Sequence, residues 1–167
     1  MEGQIQFFVN GEPKGQPRAR AFAMKRGNKV LVRMYDPSTA EGWKTAIAAA
    51  AKAHCPFPAW TGPVALSTTF IFPRPKSHFR TGRLAGILRP DAPKYHTGKP
   101  DRDNLEKAVM DALKMLGFYR DDSQVCDGDG PVRKIYGDRC GAQIVIRQIA
   151  AEAQPLPMQH GQEVLGV

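Results

Sequence analysis

Four aspartates and one lysine lie around a single predicted helix, and their types and spacing suit the binding of a divalent cation. Asp101 and Asp103 stand where the helix begins, Lys107 follows one turn later, and Asp121 and Asp122 come soon after the helix ends. Carboxylate oxygens are the ligands that hard cations such as Mg²⁺ prefer. The rest of the chain is basic, which suits a polyanionic partner such as nucleic acid. The pattern therefore indicates a possible metal site within a nucleic-acid-binding surface.

Each of these residues also has an ordinary structural explanation. Asp103 could be a helix N-cap, and Asp103 with Lys107 could be an i, i+4 ion pair that contributes a few tenths of a kcal/mol. Asp121 and Asp122 could form a turn after the helix. Taken singly, each explanation is the more common one, but together they explain less well why four aspartates bracket one helix. On the pattern alone, both interpretations stay open.

The helix itself is predicted over residues 103–116. Its apolar residues recur at helical spacing, and the set is Leu105, Ala108, Val109, Ala112, Leu113 and Leu116. Gly117 is a typical residue just past a helix C-terminus. On a helical wheel Asp103 and Lys107 lie about 40° apart, opposite the apolar stripe. We therefore expect both side chains on the outer face of the helix.

The remaining elements predict an α+β fold, with a small mixed β-sheet and two main helices. A capping-box pattern, Ser38-x-x-Glu41, begins the other helix, which we expect to reach about residue 53. Strands are predicted at 4–9, 29–35 and 64–72, and a closing hairpin is predicted from 132–136 and 142–149. The strand at 29–35 is expected to belong to a basic hairpin. Residues 1–150 are predicted to form one domain, followed by a flexible tail at 151–167.

Charge is distributed unevenly along the chain. The 167 residues have a formal net charge of +8, yet residues 13–33 hold seven Lys or Arg and no acid, while residues 101–138 hold nine of the sixteen acids. A solvated surface usually intersperses the two signs. This segregation favours a basic footprint around an acidic centre.

Composition and motifs exclude several other classes. Three widely spaced cysteines imply neither a disulfide framework nor a zinc site. The N-terminus lacks the features of a signal peptide, and no apolar run has transmembrane length. No phosphate-binding P-loop is present, so no nucleotide cofactor is expected. We expect a cytoplasmic protein without a membrane partner.

Four segments carry a resemblance to a known family: Lys99-Pro-Asp-Arg-Asp-Asn-Leu-Glu-Lys107, Asp111-Ala-Leu113, Asp121-Asp122-Ser-Gln-Val125 and Lys134-Ile-Tyr136. They resemble the RusA family of Holliday junction resolvases, in its phage-type branch, and the likeness covers most of residues 4–149. The resemblance implies a homodimeric, Mg²⁺-dependent endonuclease that nicks four-way DNA junctions symmetrically during recombination and repair, in a bacterial or phage-infected cell. Mn²⁺ is expected to substitute for Mg²⁺.

By motif, the family's catalytic carboxylates correspond to Asp101, Asp103 and Asp122, and its essential lysine corresponds to Lys107. Asp121 aligns with the first member of the family's Asp pair and is a further candidate metal ligand. Residues 73–98 are longer than in the shortest members, and the residues after position 150 have no counterpart that we can assign.

The basic segments are expected to hold DNA phosphates. The candidates, with the best two first, are Arg18, Arg20, Lys14, Lys76, Arg80 and Lys134. In the long segment, Phe79, Tyr95 or His96 could stack on bases at an open junction centre, although a buried anchor is the more common role for Phe79.

Two other functions share these features. One is a different metal nuclease that acts on other branched DNA or on RNA. The other is a non-catalytic, basic DNA-binding protein whose aspartates are caps and turns. A calcium-binding loop at 127–130 is excluded, because Pro131 occupies a ligand position and the terminal Glu is missing.

Overall fold

The computed structural model describes residues 3–16, 20–26, 29–35, 40–128 and 130–150, with the backbone alone for 20–26 and 29–35. Three predictions therefore fall outside the described residues: the phosphate contact of Arg18, the capping box at Ser38 and the tail at 151–167.

The described chain is α+β, as predicted. Its strands and helices, in chain order, are β1 (Gln4–Asn10), β2 (Arg20–Arg26), β3 (Lys29–Tyr35), α1 (Glu41–Ala51), β4 (Val64–Pro73), α2 (Arg102–Leu116), β5 (Val125–Asp127), β6 (Arg133–Gly137) and β7 (Gly141–Gln148). β3 forms an antiparallel hairpin with β2, a strand that the sequence did not predict. Neither helix in the described ranges combines the length and apolar composition that crossing a bilayer would require.

A mixed five-stranded sheet is built around β4. β7 pairs with β4 in an antiparallel register and β1 pairs with β7, while β5 and β6 pair with β4 in parallel on its other side. The predicted closing hairpin is therefore wrong, because β6 and β7 lie on opposite sides of β4. Alternating apolar residues identify a strand but do not select its partner.

The short connection from β6 to β7 depends on a close backbone approach. A Cβ atom at Gly141 would lie 2.1 Å from the carbonyl oxygen of Val9 and 2.7 Å from the ring of Phe8. Only glycine fits there without movement of the backbone of β1. Gly141 therefore allows the start of β7 to pair closely with the end of β1.

One core joins one face of the sheet to both helices. Even-numbered residues of β4 point into it, as their alternation predicted, and the strand residues in this core are Val64, Leu66, Phe70, Phe72, Phe7, Val9, Ala142, Ile144 and Ile146. α1 contributes Trp43, Ile47 and Ala51. α2 contributes the predicted stripe Leu105, Ala108, Val109, Ala112 and Leu113, and it ends at Gly117 in a left-handed conformation. This burial fixes which face of α2 reaches the surface.

The long segment between β4 and α2 is ordered against β6. The backbone N–H of His96 donates to the carbonyl of Lys134 at 3.0 Å, and that of Tyr136 donates to Lys94 at 2.9 Å. Tyr95 bridges Ile135 in an antiparallel arrangement. These bonds cover the outer edge of β6, so the segment is part of the fold rather than a structureless loop.

Candidate active site

The outer face of α2 carries a row of charged side chains. Asp103, Lys107 and Asp111 recur at intervals of four residues, and Lys114 follows three residues later. Asp103 and Lys107 are exposed, whereas Asp111 and Lys114 are half-buried. Since the opposite face is fully buried, the packing of α2 alone brings this row to the surface.

Asp111 is the centre of a small ion-pair network. Its Oδ1 lies 3.6 Å from the Nζ of Lys107, and its Oδ2 lies 4.0 Å from the Nζ of Lys44 on α1. Lys44 also approaches Glu41 at 3.3 Å. The Asp111 side chain is 23% exposed and that of Lys44 is 14% exposed, so this contact is largely shielded from water. The network tethers the ammonium of Lys107 on the outer face of α2.

The chain folds back along α2 after the helix ends. The Tyr119 hydroxyl donates to the carbonyl of Met110 at 2.9 Å, and burial followed by the charges of Asp122 and Asp111 raises the pKa of Tyr119. A short 3-10 helix, Asp122–Gln124, then begins beside the last turns of α2. The fold-back therefore places the Asp121-Asp122 pair beside Lys114, which donates to Asp121.

Asp121 is occupied by structural hydrogen bonds. Its Oδ1 accepts from the backbone N–H of Ser123 at 3.0 Å, and its Oδ2 accepts from Lys114 Nζ at 2.9 Å. Gln124 Oε1 accepts from the N–H of Asp121 at 3.0 Å, which completes a capping box. The hydrogen bond from Lys114, and then that from Ser123, lower the pKa of Asp121 well below its usual range. These contacts favour the turn explanation for Asp121.

Asp122 differs from its neighbour. Its Oδ1 is buried and has no hydrogen-bond partner among the described residues. Its negative charge raises the pKa of Lys114, after the larger effect of the hydrogen bond from Lys114 to Asp121. A buried carboxylate oxygen without a partner is costly unless a cation or water satisfies it. Asp122 is thus the member of the pair that is suited to bind a ligand.

At the other end of α2, Asp101 occupies the N-cap position. Its side chain is exposed and makes no capping hydrogen bond within the described chain. The backbone just before Asp101 is held by Lys134, whose Nζ donates to the carbonyls of Gly98 at 2.6 Å and Pro100 at 2.7 Å. The carboxylate of Asp101 is therefore presented at the start of the helix without a structural bond of its own.

The predicted ligands lie on one face but not in one cluster. Asp101 and Asp103 are at the start of α2, and Asp122 begins the 3-10 helix that follows α2 in the chain. Within the described ranges, no group of three or more Asp, Glu, His or Cys side chains could hold a metal ion. The single chain therefore does not hold Asp101, Asp103 and Asp122 as a preassembled site.

By chemistry, the same residues fit a hard divalent cation. All of the candidates are carboxylates, and the unpartnered Asp122 Oδ1 is an oxygen of the kind that a cation would satisfy. Mg²⁺ keeps several of its water ligands, so it needs only one or two protein carboxylates.

The candidate phosphate-binding residues have different surroundings. Lys76 and Arg80 are exposed, and Lys14 forms an exposed ion pair with Glu12 at 3.1 Å. Lys134 has the structural role described above. Arg20 begins β2, where only the backbone is described.

Three of the charged residues at this site, Asp111, Lys114 and Lys44, were not among the predicted site residues. Asp111 had a signal in the sequence, because it lies four residues after Lys107 and eight after Asp103. Lys44 had none, since its approach to Asp111 depends on how α1 packs against α2.

Comparison with known proteins agrees with the motifs on α2. The profile of the family described as endodeoxyribonuclease RusA matches residues 10–147. The chain belongs to the RusA family. It is also 37% identical, over 152 residues, to the uncharacterized protein YqaN of Bacillus subtilis (strain 168), an alignment that covers 88% of this chain and 98% of YqaN. The predicted family is therefore confirmed, and α2 with its charged face lies inside the region that RusA-family members share.

Proposed function

We propose that this RusA-family protein is a Mg²⁺-dependent, structure-specific endodeoxyribonuclease that resolves four-way DNA junctions by paired phosphodiester hydrolysis. Family membership supports the reaction class. The observation on which the proposal depends within this chain is the buried Oδ1 of Asp122, which has no hydrogen-bond partner in the described part of the chain. A buried carboxylate oxygen without a hydrogen bond requires an explanation, and a bound cation is one that suits a carboxylate.

We assign the ion, Mg²⁺ or Mn²⁺, to Asp101, Asp103 and Asp122, which would have to be drawn together on metal binding because the described residues do not form a preassembled site. When bound, such an ion lowers the pKa of a coordinated water and withdraws charge from a phosphoryl oxygen. Asp121 is the weaker candidate ligand, because both of its oxygens already accept hydrogen bonds. We assign it to positioning Lys114 and the start of the 3-10 helix.

Lys107 would stabilise negative charge on the phosphate as the reaction proceeds. Its side chain is 59% exposed, so the ammonium can reach a DNA strand that lies along α2. The ion pair with Asp111 keeps this ammonium near the helix, and a pre-positioned charge needs less reorganisation in the transition state. Asp111 is therefore a positioning residue for Lys107.

Paired nicks require two active sites. A four-way junction has approximate two-fold symmetry, and a C₂ homodimer would present two copies of the site in the matching relation. The homodimer is part of this proposal and rests on the family resemblance.

The test is a cleavage assay with matched DNA four-way, three-way, flap and duplex substrates, together with an RNA substrate. The wild-type protein should nick the four-way junction in Mg²⁺ or Mn²⁺ and should not do so in EDTA. Asp103→Asn should abolish nicking and retain junction binding, while Asp138→Asn, at an exposed residue between β6 and β7, should nick normally. Faster cleavage of another substrate would identify a different nuclease, and metal-independent binding without cleavage would identify a non-catalytic DNA-binding protein.

A further inference from the structure

Part of the segment between β4 and α2 forms a projection, residues 78–89, which we call the finger. Its two sides are joined by an antiparallel bridge between Phe79 and Leu88. The backbone N–H of Arg80 donates to Ile87 at 2.9 Å, and that of Arg89 donates to His78 at 2.9 Å. These bonds make the finger a short hairpin-like structure rather than an irregular loop.

The tip of the finger is compact. The N–H of Ala85 donates to the carbonyl of Gly82, and that of Ile87 donates to Leu84, both at 3.0 Å. Residues 82–84 form a single turn of 3-10 helix. The tip therefore has a defined backbone conformation.

Aromatic packing fixes the base of the finger to the sheet. The ring of His96 stacks on Phe72 with centroids 4.0 Å apart, and it meets the edge of Tyr136 at 5.0 Å. His78, the first residue of the finger, packs edge-on against Tyr136 at 4.7 Å. His96 is thus an anchor and is not available to stack on DNA. His78 therefore anchors the base of the finger to β6.

Three large apolar side chains are exposed on the finger. Leu84 is 45% exposed, Ile87 51% and Leu88 40%. Scattered exposed apolar residues are ordinary, but a group of them on one projection marks an interaction site.

The surroundings of the tip are strongly basic. Residues 74–99 contain seven Lys or Arg and one acid, Asp91. That acid is paired with Arg89 at 2.9 Å, so it does not offset the other cations. Arg80 and Arg83, within the finger, are exposed. An exposed apolar tip with exposed cations close to it in the sequence complements DNA, because phosphates meet the cations while the faces of the bases are apolar.

We propose that the finger inserts Leu84 and Ile87 against unstacked bases at the branch point of DNA, while Arg80 and Arg83 contact the flanking phosphates. Apolar side chains of this type open base steps in other modes of DNA recognition by acting as wedges. A branch point already lacks continuous stacking, so insertion costs less there than in duplex DNA. The finger would therefore select branched DNA. This inference rests on the proposed function and extends it to substrate selection.

The test uses the full-length protein in EDTA, so that binding is measured without cleavage. The probe is a four-way junction with 2-aminopurine at the branch point, compared with the same junction labelled within an arm and with a matched duplex. The variant is Leu84→Gln/Ile87→Gln, and the control is Met115→Gln, since Met115 is 81% exposed on α2. Both variants replace exposed apolar residues with polar ones of similar size.

Wild-type protein and Met115→Gln should raise the fluorescence of the branch-point probe and leave the arm probe unchanged. The double variant should lose that rise, and its preference for junction over duplex should fall about tenfold, the size of effect expected when aliphatic side chains lose part of their apolar contact with the bases. Its salt dependence of binding should match that of the wild type, because no cation has been removed.

Three results would overturn the inference in different ways. If the wild type prefers the junction and the double variant matches it in both fluorescence and affinity, the finger does not select the branch. If the double variant changes the sedimentation mass of the protein without DNA, the tip is an interface between copies of the chain. If the wild type itself shows no preference for the junction, the proposed function fails, and the role of the finger fails with it.

Discussion

A basic residue in a DNA-processing protein can either contact phosphate or stabilise the fold, and Lys134 allows the two roles to be distinguished. The sequence predicts that it contacts phosphate, whereas in the structure its ammonium donates short hydrogen bonds to Gly98 and Pro100. Both carbonyls lie within residues 98–100, directly before Asp101. We therefore predict that Lys134→Met disturbs the start of α2 more than it weakens DNA binding.

The magnitude follows from the two bonds that are lost. A hydrogen bond from a charged donor contributes about 1.5–3 kcal/mol. Gly98 is exposed, so its carbonyl can be rehydrated, whereas Pro100 is half-buried. We accordingly expect Lys134→Met to lower the free energy of unfolding by about 2 kcal/mol. Because a displacement of about 1 Å at a reacting group can cost about a hundredfold in rate, the rate of junction nicking should fall between about tenfold and a hundredfold.

The deciding assay is the salt dependence of junction binding, measured alongside unfolding by urea. One phosphate contact contributes about 0.9 to the slope of log K against log salt concentration. Lys76→Met, at an exposed candidate for phosphate contact, should reduce the slope by about that amount and leave stability unchanged. Lys134→Met should leave the slope unchanged and lower stability. A Lys134→Met protein of normal stability with a reduced slope would refute this reasoning.

Three further predictions concern α2 and its surroundings. Folding lowers the pKa of Asp121, so its ionised form stabilises the protein above the ordinary aspartate pKa, and this contribution is lost as the pH falls through the lower folded value. Asp121→Asn should therefore be less stable than wild type towards urea at neutral pH and should approach the wild-type stability in strong acid. An equal difference in stability at both pH values would contradict this prediction. Asp111→Asn should slow nicking between about twofold and fivefold, the worth of a partly exposed ion pair, with junction binding unchanged, whereas faster nicking would show that the pair restrains Lys107. Leu113→Ala, at a fully buried site, should lower the free energy of unfolding by about 2–5 kcal/mol, and a change below about 1 kcal/mol would mean that Leu113 is not in the core.

The two helices and most strands of the main sheet could be predicted because their patterns are local. The apolar spacing in α2 and the alternation in β4 each follow from one element burying one face. The partner of a strand is not a local property. β6 and β7 are close in sequence, yet β4 lies between them, and this pairing depends on contacts between elements far apart in the chain.

The charged residues show the same division. The row Asp103, Lys107, Asp111 was visible as helical spacing, although Asp111 was not selected. The difference between Asp121 and Asp122 could not be predicted from the sequence. Lys114 and Ser123 donate to the two carboxylate oxygens of Asp121, whereas Oδ1 of Asp122 has no hydrogen-bond partner among the described residues. The roles of two adjacent, identical residues can be distinguished only by the contacts that each side chain makes.

The most direct test of the account is the rate of nicking of a four-way junction in Mg²⁺ by Asp122→Asn, under single-turnover conditions. We predict that this variant binds the junction but does not nick it, while Asp138→Asn nicks at the wild-type rate. Nicking by Asp122→Asn at the wild-type rate would show that the unpartnered oxygen beside α2 has no part in the chemistry, and the proposed active site would be wrong.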